Sequence, residues 1–235
     1  MKTFLSIFIL NFFILFCTSG FSQKNIHLRW GQMLSKYVSD SGKVNYLAWQ
    51  NESSELDTYL NGLANMTAQE DWPLPQKIAY WINAYNALTI QLILKNYPIE
   101  SIRDIKDPWG QVVFKTNDKS YSLNFIEHEI LRKLGEPRIH FAINCASISC
   151  PKLQNKPFVG NQLTDQLEAA TSSFILDETM NNFNYEIPQV SRIFLWFGKD
   201  FGTKLERKAF LEKYSGEKLQ SEKLDFLDYE WGLNE

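Results

Sequence analysis

The stretch "HFAINCASISCP", residues 140–151, gathers one imidazole and two thiols in a chain that has only 3 histidines and 3 cysteines. A cysteine attacks carbonyl carbon as its thiolate, which requires a base to hold it deprotonated and a further group to orient that base. Cys145 is the candidate nucleophile, and His128 and His140 are the candidate bases. The run "RIHFAIN" has the apolar character of a short strand, on which side chains alternate. His140 and Cys145, an odd number of positions apart, would then face opposite ways. His128 becomes the better partner on that reading, because the preceding helix must fold back across the strand. Glu127 and Glu129 point about 100° to either side of it, so its orienting group must come from elsewhere. Asn83 and Asn86 offer amides on one helix face, and the backbone around Ala146 and Ser147 would donate to an oxyanion.

Each of these residues also has a plainer reading. Cys145 and Cys150 are an evenly counted pair that an oxidising compartment would join as a disulfide, which is the default expectation for an exported chain. His128 can be a satisfied helix histidine, and Asn83 and Asn86 can be buried amides that hold the helix bundle together. The Trp and Phe residues belong mostly to the core, although Trp109 in "DPWG" sits in a loop where it can meet a ligand. The histidines and cysteines show no familiar zinc spacing, and nothing implies a cofactor.

The compartment is inferred from the first residues. Lys2, the uncharged run "FLSIFILNFFILF" and the small residues of "CTSGFSQ" form a secretory signal, with Gly20 and Ser22 at the positions that a signal peptidase reads. The leader is residues 1–22 and the mature domain 23–235, located in the periplasm or outside the cell. The apolar run is shorter than the ~20 residues a membrane span needs, so no stable span is expected after cleavage. Phe16 before Cys17 argues against lipid attachment there. The remaining chain is long enough for one sizeable core. Its acidic and basic residues are interspersed, so a nucleic-acid partner is excluded. The partner is instead a peptide, a glycan or another envelope protein.

The elements that would position these residues are mixed. "IHLRWGQMLSKYV" reads as an amphipathic helix, followed by a turn and short strand in "SDSGKVNYLAW" and a helix near 47–62. "TAQE" has capping-box form ahead of "PLPQKIAYWINAYNALTIQLILKNYP", whose apolar residues nearly encircle it and predict a central buried helix. "VVFKTNDKSYSL" reads as a hairpin. In "NFIEHEILRKLG", Asn124 and Glu127 have capping-box spacing and Gly135 is a stop. Helix is expected at "LTDQLEAATSSFIL" and near 203–213, and strand at "NFNYEI", "VSRIFLWF" and "KLDFLDYEW". Helices and strands do not alternate regularly, so the fold class is α+β: one globular domain with a central buried helix packed on a small, mainly antiparallel sheet.

"GKVNYLAW", "YWINAYNALTIQLIL", "IRDIKDPWG", "YSLNFIEHEILR", "RIHFAINCASISCPKL", "LEAATSSFI" and "LDFLDYEWGLN", in this order, resemble the family called domain of unknown function 547. The resemblance implies an exported bacterial protein or a domain of a larger eukaryotic one, and it implies no particular reaction. Two classes of function remain. One is a cysteine-dependent hydrolase or acyl transferase acting on peptide or amide bonds, papain- or transglutaminase-like, although in that fold the nucleophile begins the central helix and the long helix here has no cysteine. The other is a non-catalytic envelope protein in which Cys145 and Cys150 are structural. Intact mass of the protein from its native host should show a chain beginning close to Gln23; recovery of uncleaved protein from membranes would contradict the leader.

Overall fold

The computed structural model describes residues 26–235; the leader expected at residues 1–22 lies outside the described residues. Its centre is helix α4, Leu74–Asn96, preceded by α1 (Leu28–Tyr37), α2 (Tyr46–Gln50) and α3 (Ser54–Asn65). On α4 every residue from Ile78 to Ile90 is buried, polar Asn83, Asn86 and Thr89 included. This is the all-round burial that the sequence predicts. Helix α1 lays Trp30, Met33, Leu34 and Tyr37 inward, and Trp30 stacks on Tyr59 of α3 with ring centres 5.6 Å apart. Each fully buried Leu or Ile in this layer contributes roughly 1.5–3 kcal/mol.

The hairpin is present as β1 (Phe114–Lys115) and β2 (Ser120–Tyr121), paired antiparallel, and Tyr121 packs against Trp81 of α4. A second ladder, β3 (Gln189–Val190) with β4 (Asp225–Phe226), is parallel and separate from the first. The molecule is thus α+β, mostly helical with a small antiparallel pair. Helices α5 (Leu163–Ile175) and α7 (Lys204–Ser215) build a second core, in which Phe141, Phe174, Phe194, Phe201 and Phe210 meet.

Several local expectations are corrected. "TAQE" does not cap α4: the Thr67 hydroxyl donates back to the Ala64 carbonyl, and the helix begins after Pro73, where proline's missing N–H is harmless. Asn124 makes no cap; the Ser122 hydroxyl accepts the Phe125 N–H instead. "RIHFAIN" is not a strand. Pro137–Phe141 is a 3₁₀ turn, started by the Glu136 carboxylate accepting the Arg138 N–H, so the alternate-face argument about His140 and Cys145 does not apply. "VSRIFLWF" gives only the end of β3 and then the short helix α6, Ile193–Trp196, because Phe194 is drawn into the second core.

The amides of α4 tie the two layers together. Asn83 donates to the Phe158 carbonyl at 2.7 Å and accepts the Phe158 N–H at 3.0 Å. Removing one side of such a buried pair leaves the other unsatisfied. Asn83→Leu should therefore lower stability by about 1–3 kcal/mol in denaturant titration; an unchanged midpoint would show that the Phe158 backbone finds other partners.

Candidate functional site

Asn86 acts on the chemistry-bearing loop as Asn83 does on Phe158. Its amide donates to the Ala142 carbonyl at 2.9 Å and accepts the Asn144 N–H at 2.8 Å. Asn144 continues the chain of contacts: its side chain donates to the Pro151 carbonyl and accepts the Ala146 N–H, each at 2.8 Å. Ala146 is held at φ 62°, a left-handed conformation uncommon for a residue with a Cβ, and the Cys150 N–H closes the turn on the Ser147 carbonyl. The C-terminal segment then pairs with the loop: Ile148 N–H donates to the Gly232 carbonyl and Asn234 N–H to that of Ala146. This pairing delivers Tyr229 to the cysteines.

Cys145 and Cys150 are free thiols whose sulfurs lie 2.6 Å apart. The Cys145 sulfur also has the Ser147 hydroxyl at 3.1 Å and that of Tyr229 at 3.2 Å. Burial works to raise this thiol, but hydrogen bonds from Cys150, Ser147 and Tyr229 outweigh it and bring it below the usual thiol range. Cys150 is pushed the other way by burial and by the neighbouring Cys145. Burial also keeps the Tyr229 phenol protonated, so it remains a donor. The oxyanion donors expected around Ala146 are partly occupied, since its N–H is bound to Asn144 and the Cys145 N–H to the Cys150 sulfur.

Cys145 opens onto a cleft of about 270 Å³. Trp109, Trp196, Phe197, Tyr229 and Trp231 form its aromatic wall, and Glu127, His128, His140 and Cys150 also line it. All three sequence-derived catalytic candidates therefore share one cavity, and Trp109 lines it as well. Ser147 lies beside the cysteines, while Asn83 and Asn86 serve as backbone clamps.

The two histidines belong to one ionic network. Asp200 receives Arg132 in a two-point contact, Nε to Oδ2 at 2.6 Å and Nη2 to Oδ1 at 2.7 Å, and pairs with His140 Nε2 at 2.8 Å. Burial works against its ionisation, yet Arg132 and His140 hold the carboxyl well below the ordinary carboxylate range. His140 stacks on Phe197 at 4.1 Å, and its Nδ1 is buried without a partner. Burial lowers its pKa, with Asp200 opposing and Arg132 assisting, so the ring is neutral at pH 7. His128 Nδ1 lies 3.1 Å from Arg132 Nη1; burial and that guanidinium both disfavour its imidazolium. Neither imidazole is a hydrogen-bond partner of the Cys145 sulfur. His27 bonds Tyr59 at 2.8 Å and is held neutral by burial, its pKa down to about 4.

Glu127 and His128 project from a π-helical segment, Phe125–Leu131, a wide turn that is frequent at functional sites. Glu127 bonds the Tyr85 hydroxyl at 3.3 Å, and its pKa is raised to about 7 by burial and then by the negative charge at Cys145. Sequence reasoning missed Asp200, Arg132, Tyr85 and Tyr229. Only Arg132 carried a signal, standing four positions after His128 on the same helical face; the others reach the cleft through tertiary packing. Among the described residues no cluster of His, Cys, Asp and Glu could hold a metal ion, and no helix is long and apolar enough to cross a membrane.

With this geometry in hand, comparison places the segment in a family. Residues 69–175 match the family described as protein of unknown function, DUF547, and this segment of the chain belongs to it. The match contains α4, the π-helical segment and the whole cysteine loop, but ends before Asp200 and Tyr229. No curated protein and no solved structure matches the chain.

Glu127 generates a pH-dependent prediction. Its folded pKa lies above the ordinary 4.5, so its stabilising contribution is fully present below that value and is lost as pH rises through about 7. Glu127→Gln should thus gain stability relative to the wild type between pH 5 and pH 8 in thermal melts. A difference that stays flat across this range would show that Glu127 ionises like a solvent-exposed carboxylate.

Proposed function

We propose that this chain is an exported cysteine-dependent acyl-transfer enzyme, a hydrolase or transferase of peptide or amide bonds, with Cys145 as nucleophile and His140 as its base. The observation that carries this reading is the His140–Asp200 pair on the wall of the cleft onto which Cys145 opens. Nε2–H donates to a carboxylate that stays ionised, which leaves the Nδ1 lone pair as the proton acceptor. Thiol and imidazole are not bonded to each other, and catalytic pairs of this kind often tighten only when substrate is held. Cys145 gives its proton to His140 Nδ1 and adds to the carbonyl carbon. Asp200 stabilises the imidazolium that forms, and His140 returns the proton to the departing amine. The hydroxyls of Tyr229 and Ser147, within 3.2 Å of the sulfur, are the donors available to the oxyanion. Water or an acceptor amine then releases the acyl group. His128 is less suited to the role of base: burial and Arg132 disfavour its imidazolium as they do that of His140, but the Asp200 carboxylate hydrogen-bonds His140, whereas the His128 ring bonds Arg132.

A second reading draws on the aromatic wall. Trp109, Trp196, Tyr229 and Trp231 form a run of rings 4.6–5.9 Å apart, a surface suited to holding a peptide side chain or the face of a sugar without any reaction. An envelope binding protein would use that wall and leave the thiols idle.

The reduced protein should give a burst of nitrophenolate from p-nitrophenyl acetate and carry one acetyl group on Cys145 by peptide mass mapping. His140→Gln should slow this acylation at pH 7 by about a hundredfold or more, and Asp200→Asn should slow it in the same direction. Acetylation elsewhere, or a burst indifferent to His140→Gln, would leave the binding-protein reading in its place.

A further inference from the structure

Acyl transfer uses one sulfur, whereas the loop presents two. Residues 144–151 are pinned by Asn86, by both ends of the Asn144 amide and by the C-terminal segment, and within this loop the Cys145 N–H donates to the Cys150 sulfur. The sulfurs lie 2.6 Å apart, so a bond of ~2.05 Å closes with little movement. The pair is also unequal. Both line the aromatic cleft, but Cys145 is part-exposed and Cys150 is buried. Electrostatics follow the same division, with Cys145 held below and Cys150 above the ordinary thiol range. An attacking thiol needs access and thiolate character, whereas a resolving thiol needs only to reach its neighbour.

We propose that Cys145 and Cys150 form a dithiol that exchanges with disulfides entering the aromatic cleft, Cys145 attacking and Cys150 resolving. The Cys145 thiolate attacks one sulfur of R–S–S–R′. The Cys145–S–S–R bond forms, the S–S bond of the substrate breaks, and R′S⁻ leaves, taking up the proton that Cys145 gave away. Cys150 then loses its proton to water, attacks the Cys145 sulfur and expels RS⁻, which is protonated in turn. Two protein thiols are oxidised to one disulfide, and one external disulfide is reduced to two thiols. An external dithiol of lower potential reverses the sequence and restores the pair. The inference rests on Cys145 as a nucleophile, as the acyl-transfer reading does, but needs neither His140 nor an oxyanion donor.

The test uses the reduced protein, acid-quenched and weighed intact after mixing with glutathione disulfide in one arm and insulin in the other. Wild type should lose two hydrogens, release thiol, and show the Cys145–Cys150 crosslink on mapping. Cys150→Ser should stop at the mixed disulfide on Cys145, and Cys145→Ser should lose reaction altogether. Turnover of glutathione disulfide alone assigns small disulfides as substrates, and turnover of insulin extends them to peptides. No reaction in either arm, a wild-type adduct that persists, or Cys145→Ser reacting as fast as wild type would each overturn the proposal. Failure of the two readings is separable in wild type. A nitrophenyl acetate burst at Cys145 without exchange removes this inference alone, and exchange without a burst removes acyl transfer alone.

Discussion

Two amides inside an otherwise apolar helix set the geometry on which the rest of the site depends. Asn83 and Asn86 are almost wholly buried on α4, where an unpaired amide would be costly, and each answers that demand with two backbone bonds to an irregular segment. Asn86 fixes the chain at Ala142 and Asn144, one residue before Cys145. Asn144 then repeats the device on Ala146 and Pro151. A loop without regular structure is thereby held by satisfaction of polar groups rather than by periodic hydrogen bonding.

The cleft lies where two cores meet. His140 and Phe141 are consecutive, yet Phe141 belongs to the aromatic core of α5 and α7, while His140 stacks on Phe197 at the edge of the cavity. The second core thus carries Asp200 and α6 to the site, and the C-terminal segment carries Tyr229 and Trp231. Burial alone would raise the Cys145 thiol, and three neighbouring donors reverse that tendency. At Glu127 burial wins instead, because a single tyrosine hydroxyl and a more distant guanidinium offset it only in part. Opposite outcomes in one cavity follow from the number of donors each group receives. On the far side burial favours a neutral His140, with Asp200 opposing and Arg132 assisting, and the protonated form would find the Asp200 carboxylate beside it.

Much of the fold was legible in the sequence wherever a local signal agreed with the packing. The encircling apolar pattern marked α4, "VVFKTNDKSYSL" marked the hairpin, and the helix expected near 203–213 is α7. The two misread strands share one cause. "RIHFAIN" and "VSRIFLWF" are rich in β-branched and aromatic residues, but those side chains are consumed by three-dimensional packing, Ile139 and Phe141 in different cores and Phe194 in the second, so no strand partner is needed. "TAQE" had the right spacing for a cap, and Pro73 and Pro75 set the start of the helix several residues later.

The site divides along the same line. Residue types and spacing by themselves determined that Cys145 was the nucleophile to consider, that His128 and His140 were the titratable partners to weigh, and that buried Asn83 and Asn86 would require polar partners. Those conclusions follow from chemistry that any fold must respect. Tertiary structure alone decided that His140 has Asp200 as its orienting carboxylate, that His128 faces Arg132, and that Tyr229 reaches the sulfur from near the end of the chain. The physical reason is range: the hydrogen bonds and desolvation that tune a group act over a few ångströms, and Asp200 and Tyr229 stand sixty and more residues away along the sequence.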